Sequence, residues 1–234
     1  MKLLALLLML TLAPTAVVAQ GMEVPTGSHV PRPKPADPDE NKRGALEASR
    51  VLHDFARCVV LQSPERAHAF LALPYDVRET NRAAQRLATN DCLRWGNLRF
   101  SVSLFRGALY SQLYAHDFAV AAPVVGEAAE PMLITQGTER MEKGRAATVL
   151  FLREFADCVV RTDGAAVRQL LLSEFASKEE GEWFAALRPS LSACLPQEAK
   201  FRFTTIVLRG YLAEMAYRRA VQDSAGVQSA SVGN

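Results

Sequence analysis

The stretch VLHDFARCVV at residues 51–60 recurs 100 residues later as FLREFADCVV at residues 151–160. Six of the ten positions are identical, including the phenylalanine, the cysteine and the Val-Val pair. Two more blocks repeat in the same order: DCL at 91–93 matches ACL at 193–195, and RG at 106–107 matches RG at 209–210. Because the recurrence of ordered blocks indicates a duplicated structural unit, the sequence predicts two tandem units, residues 43–118 and 144–220.

The repeated stretch has the spacing of a helix with one buried face. Apolar residues recur at i, i+3, i+4 and i+7, the positions that share one side of an α-helix; they are Leu52, Phe55, Ala56 and Val59. His53 falls on the opposite side, where we expect it to be exposed. No segment alternates strictly between apolar and polar residues as a half-buried strand would. We therefore expect an all-α fold, a tandem duplication of a small four-helix, disulfide-stapled unit.

The first residues, 1–19, have the pattern of a secretory signal peptide. Lys2 precedes an apolar run from Leu3 to Leu12, and small residues follow up to Ala19. The run is too short to span about 30 Å of hydrocarbon as a helix. We therefore expect cleavage close to Ala19 and no stable membrane insertion afterwards.

Segments of different composition flank and join the two units. Residues 20–42 contain five prolines, which favour an extended, solvated backbone and predict a Pro-rich tether. Residues 119–143 include prolines and glycines among apolar residues and predict a linker. Residues 221–234 have few apolar side chains and predict a disordered tail.

Charge and composition limit the class of protein. The chain has 27 Lys and Arg against 25 Asp and Glu, a net charge of +2, whereas a dedicated nucleic-acid binder is strongly basic. We therefore expect no nucleic-acid partner. Arg is more frequent than Lys and Ala is abundant, a bias that suits a GC-rich bacterial genome. Together with the signal peptide, this composition predicts a periplasmic or secreted bacterial protein.

Each predicted unit contains one pair of cysteines, Cys58 with Cys92 and Cys158 with Cys194. In an exported protein an even number of cysteines indicates disulfides first, and the duplication favours the pairing that closes each unit on itself. Closing a loop of about 35 residues would contribute roughly 3–4 kcal/mol to stability. A metal or redox site is the alternative, but such sites usually use closely spaced cysteines such as C-x-x-C, and none occurs here. We therefore expect structural disulfides and neither a metal nor a cofactor.

No sequence motif predicts catalytic residues. The chain lacks the G-x-S-x-G, H-E-x-x-H, P-loop and G-x-G-x-x-G patterns. His53, His68 and His116 stand where the second unit has arginine, which indicates exposed polar positions. His116 is adjacent to Asp117, but neighbouring residues on a helix do not face each other. Three glutamates at 179–182 lie at a predicted helix start, where they complement the helix dipole.

The last helix of each unit carries the pattern that we single out for binding. The first copy contains Arg106, Gly107, Tyr110 and Tyr114, and the second keeps Arg209, Gly210 and Tyr217. A glycine inside a helix costs about 1 kcal/mol relative to alanine, so its presence in both copies predicts a close helix crossing. Two interpretations of the arginines and tyrosines remain. Each arginine pairs with a carboxylate while its stem covers apolar surface, or these side chains line a surface for a partner or an anionic ligand, where Arg and Tyr are favoured.

The blocks FADCVV at 155–160, ACL at 193–195 and LRG at 208–210 resemble those of uncharacterised secreted bacterial proteins with a tandem helical repeat of this pattern. The resemblance covers both units but not the segments outside them, and it implies no activity or catalytic residue. The first unit departs from the pattern at Arg57, Asp91 and Phe105.

Duplicated scaffolds without chemical motifs more often present surfaces than active sites. We therefore expect an exported non-catalytic helical module that binds a protein or a cell-envelope component. One alternative is a periplasmic carrier for a small apolar ligand, held in a pocket between helices. The other is a cell-envelope hydrolase that acts through carboxylates.

Overall fold

The fold is described by a computed structural model that covers residues 38–75, 78–87, 92, 100–121, 129–196 and 204–231, with backbone alone at 38–42 and 225–231. The predicted signal peptide and nearly all of the predicted tether lie outside these residues. Within them the chain forms nine α-helices and no strand, which confirms the all-α prediction. In chain order the helices are α1 (Pro38–Gln62), α2 (Pro64–Leu71), α3 (Arg78–Leu87), α4 (Val102–Phe118), α5 (Lys143–Thr162), α6 (Gly164–Leu172), α7 (Lys178–Ala186), α8 (Arg188–Cys194) and α9 (Thr205–Ser231).

The first and last helices are longer than the sequence predicts. Helix α1 begins at Pro38, inside the predicted tether, because proline is compatible with the first helical position. Helix α9 continues to Ser231 through the predicted disordered tail, since no proline interrupts residues 205–231. The low apolar content of these segments therefore did not predict where α1 begins and where α9 ends.

The region predicted as the second four-helix unit contains five helices among its described residues, α5 to α9. The additional one arises because the third predicted helix is divided at Leu187, where α7 ends and α8 begins. Pro189 lies in the first turn of α8 and lacks the backbone N–H that would continue the hydrogen-bond ladder of α7.

Helices α4 and α9 pack against each other at the centre of the fold, with α1 packed on α4 and α5 on α9. The apolar face of the repeated stretch is buried against this pair, as its spacing predicts. Leu109 and Leu113 of α4 and Leu212 and Met215 of α9 are fully buried. The helices that carry the two repeated stretches therefore belong to one packed body among the described residues.

The two central helices approach most closely at Gly107 of α4 and Gly210 of α9. A Cβ atom placed on Gly107 would lie 2.7 Å from the Cα atom of Gly210, and one placed on Gly210 would lie 3.0 Å from the Cα atom of Gly107. Any side chain larger than hydrogen would therefore push one backbone away from the other. The two glycines of the repeated Arg-Gly pair thus face each other across the helix crossing.

The predicted disulfides are confirmed, since Cys58 pairs with Cys92 and Cys158 pairs with Cys194. The second joins α5 to the last residue of α8, and the first joins α1 to the described residue that follows α3. Among the described residues, no group of His, Cys, Asp and Glu side chains is arranged to hold a metal ion. No helix in the same part of the chain is long and apolar enough to cross a membrane.

Candidate functional site

Arg106 lies inside the core and anchors the end of α2. Its side chain is 1 % exposed, and the guanidinium donates hydrogen bonds to the carbonyl oxygens of Leu71 at 2.6 Å and Leu73 at 3.0 Å. The guanidinium carbon also lies 4.2 Å from the ring centroid of Tyr75, a cation–π contact. Carbonyls at a helix C-terminus lack intrahelical partners, and Arg106 supplies donors to them.

Arg209 has the corresponding role at the end of α6. It is 2 % exposed, donates to the carbonyl oxygens of Leu171 and Ser173, and forms an ion pair with Glu180 at 2.7 Å. Both arginines are therefore held by internal partners, Arg209 by a carboxylate, as one of the two interpretations expects, and Arg106 by carbonyl oxygens. The sequence could not show this, because buried helix-end carbonyls leave no trace in residue identities.

The three tyrosines of the same prediction are also buried, and two of them line a shallow depression. Tyr217 donates to the carboxylate of Asp117 at 2.7 Å, and the hydroxyl of Tyr110 accepts a hydrogen bond from Arg218 at 2.9 Å. Burial raises the pKa of both phenols, so they stay protonated. Tyr114 is buried nearby. Tyr110 and Tyr217 border a depression of about 430 Å³ with apolar neighbours Leu71, Ala72, Met132, Ile134 and Val221.

His116 and Asp117 contact each other, contrary to the sequence prediction for neighbouring residues on a helix. The Nδ1 atom of His116 lies 2.6 Å from Oδ1 of Asp117. Both side chains are partly exposed in the last turn of α4. The other oxygen of Asp117 accepts from Tyr217, so this carboxylate joins α4 to α9.

A buried cluster of charged side chains holds the predicted linker against α5 and α9. Glu214 accepts hydrogen bonds from Arg153 at 2.8 Å and from Arg218 at 3.2 Å. Arg153 also donates to the carbonyl oxygens of Ile134 at 2.9 Å and Gln136 at 3.0 Å. Residues 130–137 fill a groove that is formed by α5, α9 and the residues after α2. We call it the occupied groove.

A second groove lies between α1, α4 and the loop at residues 173–177, with Arg209 at its base. It is a cleft of about 650 Å³ that is open to solvent, and we call it the open cleft. Its lining residues are Arg50, His53, Asp54, Arg57, Gln112, Ala115, Leu171, Leu172, Ser173, Glu174, Phe175, Ala176, Ser177 and Arg209. Among these, Arg209 alone belongs to the binding residues that the sequence predicted.

His53 is the residue of the open cleft that the sequence prediction placed wrongly. It is 4 % exposed and stacks on the ring of Phe175, with ring centroids 3.9 Å apart. Burial, reinforced by the nearby charge of Arg209, lowers the pKa of His53 from 6.5 to about 3. The imidazole is therefore neutral at physiological pH. The loop that carries Phe175 is more than 100 residues away in sequence, so helix periodicity could not reveal this contact.

One nitrogen of His53 has no protein partner. Its Nδ1 atom is buried and forms no hydrogen bond. A buried polar atom without a partner costs about 1–3 kcal/mol, and in native proteins such atoms are rare enough to call for an explanation. His53 lines the open cleft, and this nitrogen lies on the buried part of its ring.

The charged side chains of the open cleft balance when the partner of Arg209 is included. Arg50 and Arg57 of α1 and Arg209 of α9 provide three cations, against the two carboxylates of Asp54 and Glu174. Arg57 is exposed, whereas Arg209 is held by Glu180. With Glu180 counted, three arginines face three carboxylates, so the cleft has no excess of charge of either sign.

The loop of the open cleft is tied to α1 and α7. Arg50 donates to the carbonyl oxygen of Ala176 at 3.2 Å, and the amide of Ala176 donates to Glu180 at 2.8 Å. Ala176 has a φ of 58°, in the left-handed region that is uncommon for residues other than glycine. These contacts hold the loop, and with it Phe175, in one position beside His53.

Comparison with protein-family models, curated proteins and solved structures finds no match for this chain.

Proposed function

We propose that this protein is an exported, non-catalytic helical module, built by duplication of one disulfide-closed unit, that binds a partner protein of the cell envelope through the open cleft. The observation that carries the proposal is the open cleft of about 650 Å³, whose wall is held by the stacking of His53 on Phe175. The exposed Arg57 at its edge offers hydrogen-bond donors to an incoming ligand, and the loop of the cleft is held by the Arg50–Ala176 contact.

The equivalent contacts of the two halves support duplication. Arg106 binds carbonyl oxygens at the end of α2, and Arg209, which lies 103 residues later, binds carbonyl oxygens at the end of α6. The glycines that follow these arginines face each other at the crossing of α4 and α9. An approximate twofold relation between the halves explains both the paired contacts and the symmetric crossing.

The arrangement of buried carboxylates favours binding over the hydrolase alternative. Asp157 pairs with Arg219 at 2.6 Å, Glu180 with Arg209 at 2.7 Å, and Glu214 with Arg153 at 2.8 Å. Carboxylates that cleave a glycosidic bond act as a facing pair. Here each buried carboxylate has an arginine as its partner and holds helices or the linker in place.

Site-specific photo-crosslinking in cells that export the full chain tests the proposal. We expect benzoylphenylalanine at position 57, beside the cleft, to form one adduct of defined mass, and the same residue at Arg82 of α3 to form none. Filling the cleft with Ala115→Trp should remove the adduct at position 57. Equal adducts at both positions, or an adduct that persists with Ala115→Trp, would contradict the proposal.

A carrier for a small apolar ligand is the second candidate, favoured by the depression beside Tyr110 and Tyr217. Its apolar wall and two hydroxyl groups have the composition of a small-molecule site. A fluorescent naphthylamine probe tests it: Leu71→Trp should abolish any probe binding there, whereas Ala115→Trp in the other cleft should leave it unchanged. Binding that is insensitive to Leu71→Trp excludes the depression as the carrier site.

A further inference from the structure

The occupied groove and the open cleft lie at equivalent positions in the two halves of the chain, an inference that rests on the duplication proposed above. The occupied groove is formed by α5, α9 and the residues after α2, and the open cleft by α1, α4 and the residues after α6. Several residues that line the open cleft correspond, at an offset of 100 or 103, to residues that hold the segment 130–137 in the occupied groove. These pairs are His53 and Arg153, Arg57 and Asp157, Phe175 and Tyr75, and Ala115 and Arg218.

The segment in the occupied groove is the stretch of chain that precedes α5. Arg153 donates to the carbonyl oxygens of Ile134 and Gln136, and the amide of Met132 donates to Asp157 at 3.1 Å. Because the residue number in the segment falls while the residue number in α5 rises, the segment runs back along its own helix. Main-chain contacts of this kind recognise a backbone and depend little on its side chains.

The counterpart of this segment in the first half is the stretch of chain that precedes α1, the helix that lines the open cleft. At the offset of the repeated block, residues 30–37 correspond to residues 130–137, and Pro31 matches Pro131. Duplication therefore places a second segment at the entry to the second site.

The stretch before α1 is long enough to reach the cleft. Arg57 lies about 28 Å along α1 from its first residue, Pro38, at a rise of about 1.5 Å per residue. Residues 24–36 can span about 40 Å at about 3.1 Å per residue in an extended conformation. This length allows the chain to reverse its direction and still reach Arg57.

The hydrogen-bonding groups of the cleft match the composition of this stretch. Asp157 accepts the amide of Met132 in the occupied groove, whereas its counterpart in the open cleft, the exposed Arg57, can only donate. A main chain that suits Arg57 therefore needs carbonyl oxygens more than N–H groups. Prolines lack the N–H and keep the carbonyl oxygen, and residues 24–36 contain Pro25, Pro31, Pro33 and Pro35.

The charged side chains of the stretch have partners in the cleft. Asp54 and Glu174 are exposed, and neither forms an ion pair with another described residue. Residues 24–36 contain Arg32 and Lys34 and no acidic residue. These two cations can therefore pair with the two carboxylates, while Arg57 donates to main-chain carbonyl oxygens.

We propose that residues 24–36 of the same chain occupy the open cleft, where they run back along α1 as residues 130–137 run back along α5. The contact is autoinhibitory, because a partner protein that binds through the cleft must displace this segment. Since the segment is joined to α1, it competes with the partner at an effective concentration on the order of 1 mM.

Photo-crosslinking within the purified, full mature chain tests this inference. We expect benzoylphenylalanine at position 30 to form an adduct inside one molecule, and peptide mass spectrometry to locate it in the cleft, at residues 50–57 or 171–177. Filling the cleft with Ala115→Trp should lower the yield at least fivefold, whereas Leu71→Trp in the depression beside Tyr217 should leave it unchanged.

A second pair of variants tests the charges of the segment without altering the cleft. Arg32→Glu together with Lys34→Glu should lower the yield of the adduct at least threefold. Lys42→Glu together with Arg43→Glu makes the same change in net charge outside the segment and should have no effect.

Three results would overturn the inference: adducts outside the cleft, a yield that Ala115→Trp does not lower, or equal effects of the two charge-changing pairs. An adduct with twice the mass of one chain would assign the cleft to a second copy and likewise refute it. The crosslinking test in cells separates this failure from that of the proposed function. If the purified chain forms no internal adduct while position 57 still crosslinks to a partner, only the present inference fails. If the internal adduct forms and no partner adduct appears even with Arg32→Glu and Lys34→Glu, only the proposed partner binding fails.

Discussion

The crossing of α4 and α9 allows a quantitative prediction for Gly107→Ala. The new methyl group would lie 2.7 Å from the Cα atom of Gly210, and because that neighbour is backbone, it cannot move aside as a flexible side chain would. The two central helices must separate, and overpacking of this kind costs about 1–3 kcal/mol or more. Alanine regains about 1 kcal/mol of helix propensity. We therefore expect a net loss of about 0–2 kcal/mol.

Urea unfolding followed by far-UV circular dichroism, with both disulfides intact, measures this loss. Gly181→Ala is the matched control, because Gly181 lies in α7 and a Cβ atom there has no neighbour within 4 Å. The control should be stabilised by about 0.5–1 kcal/mol. Gly210→Ala should fall between the two, since its Cβ atom would lie 3.0 Å from the opposite backbone. If Gly107→Ala gains as much stability as Gly181→Ala, the close crossing described here is incorrect.

Three further predictions concern the charges and the disulfides. Glu214→Gln leaves the buried Arg153 without its carboxylate, so urea unfolding should show a loss of about 3–5 kcal/mol; a loss below about 1 kcal/mol would contradict a buried ion pair. Replacing both Cys158 and Cys194 by serine opens a loop with a sequence separation of 36. The same assay should show that the free energy of unfolding falls by about 3–4 kcal/mol. An unchanged free energy of unfolding would indicate that strain in the native bond cancels this contribution. The lowered pKa of His53 means that the unfolded chain takes up a proton below pH 6.5 while the folded protein does not until about pH 3. Stability should therefore fall by about 2 kcal/mol from this group between pH 7 and pH 5, and His53→Gln should lack that part of the pH dependence; identical pH profiles for the two proteins would refute a buried neutral imidazole.

Local patterns were sufficient to predict much of the fold. The i, i+3, i+4, i+7 spacing around Phe55 predicted a helix whose apolar face is buried, and the structure buries it. The pairing of Cys58 with Cys92 followed from the repeat, because a duplicated unit forms the same bond twice. Helix ends were predicted less well, since α1 extends back to Pro38 and α9 forward to Ser231. The residues at these helix ends give only weak helical signals in the sequence, and they continue a helix whose centre is already formed.

The sequence by itself determined that the described part of this protein is all-helical, that its cysteines form two disulfides, and that an Arg-Gly pair recurs in two helices. Each of these depends on residues close in sequence or on the offset between copies. Only the tertiary structure decided that Arg106 and Arg209 are buried anchors, and that the buried, unpartnered histidine is His53. These outcomes depend on which distant carbonyl, ring or carboxylate meets each side chain, such as Phe175 across the cleft from α1. Burial is a property of the assembled helices, and the periodicity of one helix specifies its own faces but not what covers them.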